Sequence, residues 1–171
     1  SAMGQGTNSY TNVQLSRYVS ALANRGNVYE LSLVDKVMTS DGRMVREHQT
    51  ELSSQVEVAD STWDAVQTGM RAVVSEGSAK DIFKDLEVEI AGKTGTAQEN
   101  QDKPNHALFI GYAPYDTPEI AMAVRITNGY SSTNAASVAK DIVSYYFKLK
   151  DESDIITNTA ANVNVSNSFA D

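Results

Sequence analysis

Ile90-Ala91-Gly92-Lys93-Thr94-Gly95-Thr96-Ala97-Gln98 decides how the rest of the chain is read. The segment Val88 to Gln98 begins as an apolar strand, but a lysine, two glycines and two threonines interrupt it. Glycine weakens a strand and often marks close approach of a ligand or another backbone. Thr94 and Thr96 are two apart, so both hydroxyls project from one face and Lys93 projects from the other. Gly95 between them leaves the backbone open. Two hydroxyl donors, free amides and a nearby ammonium suit an anion. On these residues alone an edge strand with a solvated lysine and β-forming threonines fits equally well.

A phosphate-binding loop is a third reading, because Gly92-Lys93-Thr94 matches its end. That loop needs a glycine five positions earlier, where Glu87 stands, and a helix directly after it. Gly95 and Thr96 do not begin a helix, so this reading is set aside.

Outward from this strand the elements follow by pattern. Upstream, Thr11 and Gln14 form a Thr-x-x-Gln capping box, and Leu15, Tyr18, Val19 and Leu22 recur at helical spacing. Asn24-Arg25-Gly26 ends that helix, with Gly26 expected at the left-handed C′ position. Val28 to Met38 and Met44 to Glu51 predict a hairpin around Asp41-Gly42, both turn positions taking positive φ. A second helix is expected from Ser61 to Glu76. Ser61 would cap it, Gly77 would stop it, and Trp63, Val66, Met70, Val73 and Val74 would form its apolar stripe. Ser78 to Leu86 reads as a connection with room for one helical turn. Downstream, His106 to Ala113 and Glu119 to Thr127 predict two more strands, joined by the turn Pro114-Tyr115-Asp116-Thr117-Pro118. Asn100 to Asn105 is a polar loop. A last helix runs from Thr133 to Lys148, with Val138, Ile142, Tyr145 and Tyr146 on one side. The predicted fold is α+β, an antiparallel sheet with packed helices. Residues 1–150 form the structured part, and 151–171 are expected to be a disordered tail.

Bulk properties exclude several functions. The chain has 171 residues, 41% hydrophobic and 21% charged, within the range of one globular domain. Its net charge of -8 and lack of any basic run argue against nucleic acid. It has no cysteine, which removes disulfides and thiolate chemistry. His48 and His106 lack the partners a metal site needs, so no metal or cofactor is expected. No apolar run reaches the roughly 18 residues of a membrane span.

The strand's flanks narrow the choice. Ala91-Gly92-Lys93-Thr94-Gly95-Thr96-Ala97-Gln98 resembles the extended Lys-Thr-Gly element of class B (monofunctional) penicillin-binding proteins. Gly4-Gln5-Gly6 with Tyr10-Thr11 and Gln14-Leu15 resembles the segment before a helix of their transpeptidase domains. Trp63-Asp64-Ala65-Val66, with Gly69-Met70 and Val73-Val74, resembles the helix before the Lys-Thr-Gly strand. Phe109-Ile110-Gly111-Tyr112-Ala113-Pro114 resembles the strand after it. The similarity keeps the family's order from Gly4 to about Lys148, over the C-terminal part of that domain.

The resemblance implies an acyl transfer. In the family a serine attacks the penultimate D-alanine carbonyl of a peptidoglycan stem peptide and expels the terminal D-alanine. A neighbouring stem amine then takes the acyl group, and β-lactams acylate the same serine. By this resemblance Lys93 supplies charge beside the substrate carboxylate and assists proton transfer. The Thr94 and Thr96 hydroxyls hold the carboxylate, the Thr96 amide is an oxyanion donor, and Gly95 keeps the strand clear for substrate. The implied partners are stem peptide, β-lactams and an N-terminal part of the same domain. The implied location is the outer face of a bacterial membrane, with the parent protein membrane-anchored.

The chain departs from the family in one respect. Ser-x-x-Lys and Ser-x-Asn normally precede Lys-Thr-Gly. Here Ser137-Val138-Ala139-Lys140 and Ser132-Thr133-Asn134 fit those patterns but follow it, and helix capping explains Ser132, Thr133 or Asn134. The isolated chain is therefore expected to be inactive and to expose an apolar face. A non-catalytic module binding wall peptide or a partner, and a fragment of a β-lactam sensor or serine β-lactamase, are the alternatives. Tyr112, Tyr115 and Tyr130 either rim the site or are ordinary sheet and surface tyrosines.

Overall fold

A computed structural model describes residues 9–98 and 102–158. Gly4-Gln5-Gly6 and the start of the Asn100 to Asn105 loop lie outside them. Helix α1 spans Asn12–Ala23 and carries the expected capping box, in which Thr11 Oγ1 accepts the Gln14 amide and Gln14 Oε1 accepts the Thr11 amide. Its end differs from expectation. Arg25, not Gly26, occupies C′ with φ 53°, and the Gly26 amide bonds back to the Ala21 carbonyl at 2.8 Å. That is a Schellman closure displaced by one residue. Gly26 is still required, because a Cβ there would meet Trp63 Cζ2 at 2.7 Å.

The expected hairpin is two nested ladders. β1 (Asn27–Tyr29) pairs with β4 (Leu52–Gln55), and inside them β2 (Lys36–Met38) pairs with β3 (Met44–Glu47). The inner turn needs positive φ only at Gly42, at 86°, rather than at both Asp41 and Gly42. The Thr39 carbonyl accepts from Gly42, and the Thr39 amide donates to the Arg43 carbonyl. This is a longer loop with a left-handed glycine, not the two-residue turn. Glu47 to Leu52 breaks the return strand, so Met44 to Glu51 is not continuous.

Helix α2 covers Asp60–Ser75. Its N-cap is Ala59, which has no side chain to cap with, so Ser61 lies in the first turn. Trp63, Met70 and Val74 are buried as expected, but Val66 is exposed. Side chains of α2 tie neighbouring elements together. Gln67 Nε2 donates to the Leu22 carbonyl at the end of α1, at 2.9 Å. Arg25 Nη1 reaches Asp64 at 2.8 Å. A four-residue helix, α3 (Lys80–Phe83), fills the predicted connection.

The sheet is antiparallel in the order β5-β6-β7, with β5 Ala91–Ala97, β6 His106–Ala113 and β7 Ile120–Ile126. Because side chains alternate along a strand, the sheet builds two cores. On one face Ala107, Phe109 and Met122 pack with Val74, Phe83 and the last helix, α4 (Ser132–Tyr146). On the other, Ile110, Tyr112 and Ala121 pack with Val19, Leu22 and Met70. Helix α4 turns a different face inward than the expected one. Ala135, Ala136, Ala139 and Val143 are buried, whereas Ile142, Tyr145 and Tyr146 are exposed. Small residues let the helix approach β6 closely, and the larger ones do not fit there. The cap is Ser131, one residue before the expected set, with its Oγ accepting the Thr133 amide. Where the tail was expected from 151, a short helix, α5 (Glu152–Asn158), is present; residues 159–171 lie outside the description.

Candidate functional site

Strand β5 is the edge of its sheet. It pairs with β6 on one side, and among the described residues no strand pairs with the other. Arg71 on α2 fixes where the strand begins. Its guanidinium donates to the Ile90 carbonyl at 3.2 Å and meets Glu89 at 2.6 Å. The start of the strand is thus tied to α2, while β6 holds its paired side.

Register decides which way each residue faces, since residues directly opposite share a face. Lys93 opposes Ile110, and Thr94 and Thr96 oppose Phe109 and Ala107. Lys93 thus starts on the α1 side, and both threonines on the side of α3 and α4. Yet Lys93 Nζ donates to the Thr94 carbonyl at 2.8 Å. The lysine stem bends back along the strand and brings its ammonium to the Thr94 backbone. Lys93 and Thr96 are exposed, and Thr94 and Gly95 half-buried.

The two glycines of the motif have different reasons to be there. A Cβ on Gly92 would collide with the Phe109 ring and lie 2.8 Å from the Ile110 carbonyl oxygen. Gly92 is a packing residue that lets the Phe109 ring lie across the strand. A Cβ on Gly95 would meet only Leu108 Cβ, at an ordinary 3.5 Å. Packing does not require glycine at 95.

Sequence reasoning missed Ser78. Its Oγ lies 2.9 Å from Thr94 Oγ1. Gly77 reads as a helix stop and Ser78 as the start of a connection, and nothing in the pattern shows that Ser78 lands beside β5.

The remaining candidates separate. Ser137 Oγ donates to the Thr133 carbonyl of its own helix at 3.0 Å, and Asn134 Nδ2 to the Gly129 carbonyl at 2.8 Å. Both are engaged in holding α4 and its entry. Tyr112 does not rim the site: it is fully buried in the second core. Burial, with smaller contributions from Tyr115 and Asp116, pushes its phenol up to about 12. Its hydroxyl has no hydrogen-bond partner among the described residues. Tyr115 packs against the same core, and Tyr130 is exposed just before α4. His106 is buried, with Nδ1 accepting the Asn128 amide at 3.0 Å, which fixes the turn after β7. Among the described residues no helix is long and apolar enough to cross a membrane.

An open edge strand bearing Lys-Thr-Gly-Thr, backed by helices on both faces of an antiparallel sheet, corresponds to a known domain. The penicillin-binding protein transpeptidase domain matches residues 1–144. The chain belongs to that family, as a piece of a class B transpeptidase domain. It is 32% identical to penicillin-binding protein 2A of Bacillus subtilis (strain 168), covering 90% of this chain and 24% of that protein. It is 31% identical to peptidoglycan D,D-transpeptidase MrdA of Haemophilus influenzae, covering 84% of this chain and 25% of that protein. The fold matches penicillin-binding protein A of Mycobacterium tuberculosis, seen as an imipenem acyl-enzyme complex. That match has a TM-score of 0.73 at 23% identity, over 84% of this chain and 32% of that one. The chain thus spans about a quarter of the length of the curated relatives it matches.

Proposed function

We propose that this chain is the substrate-carboxylate and oxyanion part of a peptidoglycan D,D-transpeptidase, and that the whole protein cross-links stem peptides and is acylated by β-lactams. The observation that carries it is the open edge of β5, with Lys93 Nζ at the Thr94 carbonyl and free space at Gly95. A peptide ending in a carboxylate can lie along that edge as an added strand. The Lys93 ammonium and the Thr94 and Thr96 hydroxyls then meet the carboxylate, which only accepts hydrogen bonds. Backbone groups of alternate residues face the same edge. The Thr94 carbonyl takes the ammonium as an outward-facing group would, and the Thr96 amide faces the same way. That amide is the donor offered to the oxyanion.

The chemistry divides between this chain and the rest of the protein. A serine outside the described residues attacks the penultimate carbonyl, and its proton passes to a base. The carbonyl oxygen gains negative charge, which the Thr96 amide stabilises. The peptide C–N bond breaks and the terminal D-alanine leaves with the proton. A stem amine then displaces the serine from the acyl group. Lys93 holds the carboxylate and stands beside the proton path. A protein that acts on wall peptide would work at the outer face of the cell membrane. Residues 1–150 are the domain piece, which an N-terminal part of the same domain completes.

Fluorescent penicillin tests the reading. The full-length protein takes a covalent, saturable label, and Lys93→Ala loses most of it. The isolated chain takes none. A saturable label on the isolated chain overturns the division of chemistry, and its mapping to Ser137 would assign the nucleophile there.

A further inference from the structure

We propose that Ser78 is a positioning residue for Thr94. Its hydroxyl donates to Thr94 Oγ1 and thereby turns the Thr94 proton toward the carboxylate of the ligand. This rests on the β5 edge being the carboxylate site. The two oxygens are 2.9 Å apart, and on geometry alone either could be the donor. The ligand removes that ambiguity. A carboxylate has no proton to give, so Thr94 must donate to it, and Thr94 has only one proton. The bond from Ser78 must then run toward Thr94. The resulting chain, Ser78 to Thr94 to carboxylate, strengthens each link by polarisation. Without Ser78 the Thr94 hydroxyl is free to rotate, and part of the binding energy goes to fixing it.

The surrounding backbone holds Ser78 in place. Gly77 lets the chain fold tightly over the end of α2, since a Cβ there would lie 2.9 Å from Val73 Cα. Ala79 is fully buried, and its amide donates to the Val73 carbonyl at 3.1 Å. Ser78 is itself exposed, so its hydroxyl is not needed to fill the core. A side chain between two anchored neighbours, aimed at the one threonine that is half-buried on β5, suits orientation better than packing.

The test uses the full-length protein and two probes, benzylpenicillin and an analogue with hydrogen in place of the carboxylate, which leaves Thr94 no acceptor there. Ser78→Ala lowers the second-order acylation rate constant for benzylpenicillin about 3–10-fold, and leaves that for the decarboxylated analogue within about twofold. Ser78→Thr restores the benzylpenicillin rate. In a Thr94→Val background, Ser78→Ala has no further effect, because the pair acts as a unit. Melting curves of each variant show that the fold is retained. An equal loss with both probes, or additive losses with Thr94→Val, overturns the proposal and leaves the carboxylate strand standing. Failure of the unmodified protein to be acylated overturns both.

Discussion

Gly92 and Gly95 stand three apart on β5 and differ in what a methyl group would meet. At Gly92 it strikes the Phe109 ring and the backbone of β6. Gly92→Ala therefore lowers stability by about 1–3 kcal/mol, read as a shift in the urea midpoint. At Gly95 the methyl has room, so Gly95→Ala leaves the midpoint unchanged within about 0.5 kcal/mol. On the proposed function the same change slows acylation of the full-length protein, because the methyl would stand where substrate passes. An unchanged acylation rate would remove the role given to Gly95. Tyr112 offers the opposite experiment. Its hydroxyl is buried with no partner among the described residues, so Tyr112→Phe raises stability by about 1 kcal/mol in chemical denaturation. The pH dependence has a definite sign. The folded phenol titrates near 12 and its ordinary value is 10.0, so the neutral form is favoured by folding. Its contribution is complete below pH 10 and is lost as pH rises toward 12. Tyr112→Phe removes this part of the alkaline loss. These distinctions are not legible in the sequence. Two glycines in one motif look alike until the cross-strand residue is known, and register is a tertiary fact.

Helix α4 shows why some elements were legible as elements and not as surfaces. Its span was close to the expected one, since capping residues and helical spacing are local signals. Its buried face was not, because reading by size favoured Val138, Ile142, Tyr145 and Tyr146. The sheet instead takes Ala135, Ala136, Ala139 and Val143. Close packing of a helix on a strand selects small residues, so the stripe that matters is the less hydrophobic one. Ala139→Leu therefore costs about 1–3 kcal/mol by overpacking, whereas Tyr145→Ser changes thermal stability little. The reverse order in a melting experiment would restore the original face. Strand β6 was legible over its whole length, His106–Ala113, because both its faces are apolar and a proline follows it. The hairpin was legible as a chain reversal at Gly42, but not in its turn type or its strand bounds. The nested ladders come from a break between Glu47 and Leu52 for which the sequence carries no strong signal. Of the proposed site, Lys93, Thr94 and Thr96 are read from the motif alone. Ser78 is not, since its partner lies sixteen residues away on another element.

At the scale of the whole molecule, large apolar side chains remain outside the two cores. Tyr10, Val13 and Tyr18 lie exposed at α1, Ile142, Tyr145 and Tyr146 on α4, and Val37, Met38, Met44 and Val45 on the inner ladder. Scattered exposure is ordinary, but helix stripes of this kind suit cover by another part of the protein. The isolated chain is expected to self-associate in light scattering, and co-expression with the upstream part of the domain suppresses this. A monomer with a sharp calorimetric transition would count against that expectation. The position of β6 has a different outcome. It is paired on both edges and covered on both faces, whereas the β2–β3 ladder is exposed at every residue. Amide protons in deuterated water should therefore be replaced within the earliest time points along β2 and β3, and last along Phe109 to Tyr112. Along β5, the amides at the open edge exchange quickly in the free protein. A ligand seated there as an added strand would slow them, so exchange at Thr96 reports occupancy without any chemistry taking place.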